Sequence, residues 1–258
     1  SRELPAGASC RVVWRGDDGN VAESHFQVAA DAAGASAVAL YDRRDPLALA
    51  PFPDDYFAVA DAVQSSGIRL EMPAQPFEEE FQAQAFEALF AQTQGVDGWS
   101  RMAHVVLAFS HPLDPAAVPA DEAASQDPFA PIALIDIDPA SPVFGDRIPY
   151  RILLRSDEAP DGSFDHTAQL FPSIDLREHG RYAVVVTRRA FANGEPGRPL
   201  GPSSFFASVL APPGGGEAPE VVQTRDTIEP ALATIAELAE VPIPAEDVAL
   251  AVQLTIRT

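Results

Sequence analysis

Residues Asp97–Val118 read DGWSRMAHVVLAFSHPLDPAAV, and the spacing of their apolar side chains decides what the surrounding chain is. From His104 to Phe109 the pattern alternates: Val105, Leu107 and Phe109 fall on one side, His104, Val106 and Ala108 on the other. Successive side chains of an extended strand point to opposite faces, so this is a β period. Pro112 and Pro115 then end the ladder, and Asp114 between them suits a turn, where its carboxylate can accept backbone N–H bonds. Serine, histidine and aspartate are close here in sequence, but a nucleophile elbow needs G-x-S-x-G so that the strand can turn sharply into a helix. That motif occurs nowhere in the chain. Strand followed by turn is the expectation, with Ser110, His111 and Asp114 sharing no pocket.

Working outward, CRVVWRG, DDGN and VAESHFQVAA predict an N-terminal hairpin. The stretch ASAVALYDRRDPLALAPFPDDYF carries Pro46, Pro51 and Pro53, which forbid a long regular element and predict an extended arm. Gly67–Pro73 predicts a short strand, and Phe77–Thr93 a helix with Phe77, Phe81, Ala85, Leu89 and Phe90 on one face. Short strands are then expected over Ala103–Phe109, Ile132–Ile137, Arg147–Leu154, Ala168–Phe171, Arg181–Thr187 and Ser204–Ser208, separated by loops rich in Pro, Asp and Gly. APPGGGEAP (Ala211–Pro219) looks like a linker. Val221–Glu240 has helical spacing, with Pro230 either kinking one helix or starting a second. Val248, Leu250, Val252, Leu254 and Ile256 alternate, predicting a strand with one face on a core. On that reading Leu254→Asp is severe and Gln253→Asp mild.

The fold expected is mainly β: an Ig-like antiparallel β-sandwich with an N-terminal hairpin, an extended arm and two or three peripheral helices. Residues 1–95 form the hairpin, arm and first helix; 96–212 the sandwich; 213–258 a linker, helix and closing strand that complete the same globular unit.

Composition narrows function. At 258 residues and 47% hydrophobic, the chain can bury a large core. Its 38 acidic residues against 17 basic ones give a net charge of −21, a field that repels nucleic acid and anionic lipid. All the basic residues counted with that charge are arginines, so a Schiff-base lysine, a Ser-Lys dyad and a P-loop are excluded. Cys10, the single cysteine, allows no internal disulfide and is read as a small buried residue, with acylation or pairing between chains as alternatives. No apolar run is long enough to span a bilayer.

No catalytic residue and no cofactor are assigned. His25, His104, His111, His166 and His179 lack the i, i+2 or i, i+4 pairing of a local zinc site. Ser163 with Asp165 and His166, and Glu178 with His179, sketch a triad and a dyad. Neighbours on an extended chain face apart, so both are read as solvated loops. Asp136, Asp138 and Asp146, in and around IDIDPASPVFGD, are the calcium candidates, because calcium takes six to eight oxygens from such loops. The D-x-D-x-D-G register of an EF-hand is absent. Phe52, Tyr56 and Phe57 could stack on a sugar or polymer, or pack the arm against the core.

Taken in order, DPLALAPFPDDYF, GIRLEMP, DGWS, HVVLAFSHPLDPAAV, PIALIDID, GRYAVVVTRRAFANGEPGRPL and EDVALAVQLTIRT resemble the amino-terminal region of secreted bacterial α/β-hydrolases of the virulence-factor-lipase type. The resemblance covers roughly Asp45 to Thr258. It implies an Ig-like sandwich preceding a catalytic α/β-hydrolase domain, an extracellular or cell-envelope location, a signal peptide absent from this sequence, and lipid, polymer or glycan as further partners. The family's nucleophile falls beyond Thr258, so no catalytic residue carries over. The alternatives are a stand-alone cell-envelope module that binds a glycan or protein, and an enzyme whose site follows no motif.

Overall fold

A computed structural model describes residues 9–15, 21–27, 37–45, 48–72, 95–159, 162–238 and 240–258. The expected helix over Phe77–Thr93 lies outside them, as do the hairpin turn and the side chain of Cys10. Strands β1 (Ser9–Arg15) and β2 (Val21–Gln27) pair antiparallel, from Ser9 opposite Gln27 to Arg15 opposite Val21.

The chain is mainly β. One sheet takes β3 (Ala37–Leu40), β6 (Val105–Phe109), β8 (Tyr150–Glu158), β9 (Phe164–Pro172) and β11 (Leu200–Pro202) in the order β11-β3-β6-β9-β8. A second takes β7 (Ile132–Asp136), β10 (Arg181–Thr187) and β12 (Val248–Thr255) in the order β12-β10-β7. A small ribbon pairs β4 (Ala58–Ala60) with β5 (Ile68–Leu70). The first of these sheets departs from the all-antiparallel expectation, because β11 runs parallel to β3. Among the described residues there are three α-helices: α1 (Glu122–Ser125), α2 (Ser204–Leu210) and α3 (Pro219–Ala236).

The β6 alternation holds, with Val105, Leu107 and Phe109 buried. These residues join a single buried cluster with Tyr41, Ile132, Leu134, Leu170, Val184, Phe205, Ile228 and Leu250, so both larger sheets, α2, α3 and β12 share one core. At roughly 1.5–3 kcal/mol for each large apolar side chain removed from water, this cluster is the main favourable term in folding.

Three expectations need correction. Ser204–Ser208 is helical, because Ser203 caps it: its Oγ accepts the Phe206 N–H at 3.0 Å, and Phe205, Phe206 and Val209 then fall on a buried helical face. Strands β8 and β9 extend well past the expected Leu154 and begin before the expected Ala168, as the two arms of one hairpin. Closing strand β12 is buried on both faces from Val248 to Thr255, so Gln253, only 9% exposed, is an interior residue and not a solvent-facing one. Helix α3, meanwhile, runs unbroken through Pro230.

The DGWS segment meets the end of β12 at very short range. Trp99 N–H donates to Thr255 O at 2.8 Å and Arg257 N–H to Trp99 O at 2.9 Å. Gly98, at φ 135°, lies so close that a Cβ there would stand 2.6 Å from Thr255 O. A side chain at this position meets both backbone strain and collision with main chain that has nowhere to move. Gly98→Ala should therefore cost roughly 3 kcal/mol, read as a lowered denaturant midpoint. Gly67→Ala, at φ 81° but with nothing within 4 Å, isolates the backbone strain at roughly 1–2 kcal/mol. Equal losses for the two variants would show that the close approach does not constrain Gly98.

Candidate functional site

Where β6 ends, the sheet opens into a cleft of about 170 Å³ whose lining includes Phe109, Leu113, Leu154, Ser156, His166 and Asn193. The strand register builds it. Phe109 stands opposite His166, and His166 opposite Ser156, so the three share a row on the sheet's inner face. There Ser156 Oγ and His166 Nδ1 are hydrogen bonded at 2.8 Å. Sequence reading missed this pair. Its signal was the pairing of β8 with β9, whose register sets Ser156 against His166.

Ser110, His111 and Asp114 are expected to share no pocket; Ser110 Oγ and His111 Nδ1 nevertheless lie 2.9 Å apart. Ser110 Oγ also accepts the Val38 N–H at 2.9 Å, while Ser110 N–H donates to Val38 O, which clasps β3 to the end of β6. Neither side chain lines the cleft. Asp114 does not complete a triad; its carboxylate accepts Ala116 N–H at 2.8 Å and Gly194 N–H at 3.3 Å. Among the described residues, no carboxylate bonds either imidazole, so neither pair has the third member that orients a base.

Asp165 and His166 lie in β9 and not in a loop, and they face opposite ways, with Asp165 opposite Asp157. Glu178 and His179 take different partners: Glu178 accepts from Arg101 at 3.0 Å, whereas His179, at φ 59°, donates its N–H to Ile256 O. His104 stacks on Phe171. Phe57 is buried, Phe52 packs edge-on against Trp99 at 5.2 Å, and the Arg43 guanidinium lies over the rings of Tyr56 and Phe57. These aromatics pack the arm.

The calcium candidates share one loop, but its carboxylates serve the loop. Asp136 accepts Asp138 N–H at 3.0 Å and the Ser141 hydroxyl at 2.8 Å. Asp138 accepts Ala140 N–H and pairs with Arg177. Burial pushes Asp136 up from the ordinary carboxylate range, whereas Ala140 N–H and Arg177 outweigh burial and hold Asp138 below it. Asp146 contributes its carbonyl, which accepts Asp136 N–H at 3.0 Å. Among the described residues no group of three His, Cys, Asp or Glu is placed to hold a metal ion.

The most heavily bonded polar cluster lies at the DD of PFPDDYF, behind β12. Asp54, fully buried, takes Arg43 at 2.6 Å and the Tyr41 hydroxyl at 2.5 Å on one oxygen and the Tyr56 N–H on the other. Among the described residues no cation pairs with Asp55. It accepts Trp99 Nε1–H at 3.0 Å, Thr255 N–H at 2.9 Å, the Thr255 hydroxyl at 2.7 Å and Gln253 Nε2–H at 3.3 Å. Just beyond, Asp97 accepts the Thr258 hydroxyl at 2.6 Å and the Ser65 hydroxyl at 3.0 Å, and His179 Nε2 lies 3.2 Å from Thr258 Oγ1. The donors from Thr258 and Ser65 outweigh partial burial and hold Asp97 below the ordinary range. Residues 255–258 are thus tied to Asp55, Asp97, Trp99 and His179.

Burial pushes Asp55 up to about 6 against the opposing pull of Thr255 and Gln253. Among the described residues the buried Gln253 Oε1 has no hydrogen-bond partner. The folded chain holds the Asp55 proton more tightly than the unfolded chain, whose aspartates titrate near 3.9. Its stabilising contribution is therefore complete below about pH 4 and lost as pH rises through about 6, on the order of 2–3 kcal/mol. Melting temperature should fall across that window, and Asp55→Asn, which cannot titrate, should flatten the fall. An identical pH profile for the two proteins would show that Asp55 does not titrate there.

No protein-family profile matches the chain, and no curated protein does either. Among solved structures, part of it is similar to a crystal structure of the S-layer protein rSbsC, at 16% identity and TM-score 0.21 over 46% of this chain and 15% of that one. Part is similar to a structure of domains 1–6 of surface layer protein SbsC, at 18% identity and TM-score 0.19 over 43% of this chain and 14% of that one. The match therefore spans about a seventh of the length of either S-layer structure. No helix among the described residues is long and apolar enough to cross a membrane.

Proposed function

We propose that this chain is the non-catalytic, Ig-like β-sandwich region of an exported bacterial α/β-hydrolase of the lipase or esterase class, and that it positions the catalytic domain outside the cell or in the envelope. The resemblance of its ordered sequence phrases to the virulence-factor-lipase type suggests the class. The observation that carries the platform role is the pinning of residues 255–258: β12 is buried on both faces, and its end is bonded to Asp55, Asp97, Trp99 and His179. A domain attached after Thr258 would leave from a fixed point with a fixed direction. Stiff attachment is what a platform needs, since a short rigid junction limits the orientations its partner samples.

A second reading, a cell-envelope module that binds a glycan or protein, is favoured by the cleft, whose lining combines Arg155, Ser156, His166 and Asn193 with Phe109, Leu113 and Leu154.

The reading frame beyond Thr258 should encode G-x-S-x-G. The longer product should hydrolyse short-chain p-nitrophenyl esters, while residues 1–258 stay at the background of a heat-denatured control. A stop codon directly after Thr258 would favour the binding module. Ester turnover by residues 1–258, abolished by a serine-directed phosphonate, would overturn both readings.

A further inference from the structure

We infer that the free edge of β8 is a self-association surface, on which a second copy of this chain continues the five-stranded sheet antiparallel across a two-fold axis at Leu154. In the order β11-β3-β6-β9-β8, strand β8 lies at the margin. Its ladder with β9 continues into Ala159 N–H donating to Ser163 O and Ser173 N–H donating to Pro149 O, so the odd-numbered residues bond to β9. The N–H and C=O of Ile152, Leu154, Ser156 and Glu158 then point away from the sheet, and among the described residues nothing bonds to them. Tyr150 N–H, which points the same way, is satisfied by Ser125 Oγ at 3.1 Å. An unpaired edge of this length is a template for another strand unless the chain blunts it.

Hydrogen-bond parity and side-chain chemistry select one register. For a two-fold axis perpendicular to the sheet, residues opposite one another must have the same parity, and a hydrogen-bonded pair at the axis must be even-numbered. With Leu154 on the axis, Leu154 faces Leu154 of the second copy and Ile152 faces Ser156 on the inner side, where Ile152 and Leu154 are only half-buried in the single chain. On the outer side Arg151 faces Asp157 twice over, and Leu153 faces Arg155. Arg151 is 74% exposed and, among the described residues, is held by a 3.4 Å contact to Glu122, while Asp157 is 55% exposed beside Arg155. Opposite charges directly across a strand pair stabilise it, and like charges oppose it. A second copy supplies two Arg151–Asp157 pairs of opposite charge.

With 27.4 kDa chains at physiological ionic strength, which screens the repulsion between two chains of charge −21, sedimentation equilibrium should show mass rising toward twice that of one chain as concentration increases. Ser156→Pro removes an outward N–H while leaving the main-chain bonds to β9 and should give a monomer, whereas Ser156→Ala, which equally loses the bond to His166 Nδ1 but keeps the N–H, should remain a dimer. Arg151→Asp and Asp157→Arg should each be monomeric alone, because like charges then face across the axis. An equimolar mixture of the two should recover the dimer mass, since each residue then meets its opposite. Should Ser156→Pro fail to fold, the two charge variants, both at exposed positions, carry the test. A wild-type chain that stays monomeric, a dimer that survives Ser156→Pro or either charge variant, or a mixture that fails to associate would overturn the inference.

Discussion

The buried carboxylate of Asp55 is the constraint around which the two halves of the chain are arranged. It gathers donors from Trp99, Gln253 and Thr255, the last 200 positions away in sequence. A carboxylate removed from water without a cation is costly, and it persists here because several N–H and O–H groups converge on it. Each of those donors would in turn be left unsatisfied and buried if the carboxylate were lost. The cluster therefore fixes where β12 ends relative to the proline-rich arm, and Gly98 lets the DGWS segment pass close enough to complete it.

Next to it, Asp54 has the same charge and a different solution. Arg43 reaches it with one nitrogen and spends other donors on the carbonyls of Ala48, Leu49 and Pro51, at 3.2, 3.0 and 2.6 Å. A planar fork with five donors can hold a turn of main chain and a carboxylate together, which a lysine ammonium on a flexible stem cannot do in the same geometry. The arm is held from within by Arg43 and stacked on from outside by its aromatics.

Much of this order was legible in the sequence, and the reasons differ by element. The alternation of Val105, Leu107 and Phe109, the run Arg181–Thr187 and the helical spacing of Val221–Glu240 place two strands and a helix, the helix running from Pro219 to Ala236, because burial periodicity is a local signal. The apolar run behind Ser203 masks its role as a helix cap, and the alternation in β12 does not report what covers its polar side. The Ser156–His166 pair depends on strand register, which a hairpin turn sets but residue type does not. Least legible was the role of Asp55: a DD dipeptide among prolines carries no mark of the threonine that will bond it.

Of the described strands, β12 is the last that a ribosome would deliver. Until it emerges, β10 has a neighbour only in β7, and one margin of the central strand of that sheet is left open. Asp55, made early, waits for Thr255 to meet it, and contacts of such sequence separation make for slow closure because the loop must be ordered before the contact rewards it. Between the delivery of β10 and that of β12 the nascent chain thus carries an unfinished three-stranded sheet. Its strongly negative charge, at −21, then acts in time as well as in space, keeping incomplete chains apart while they wait for their closing strand.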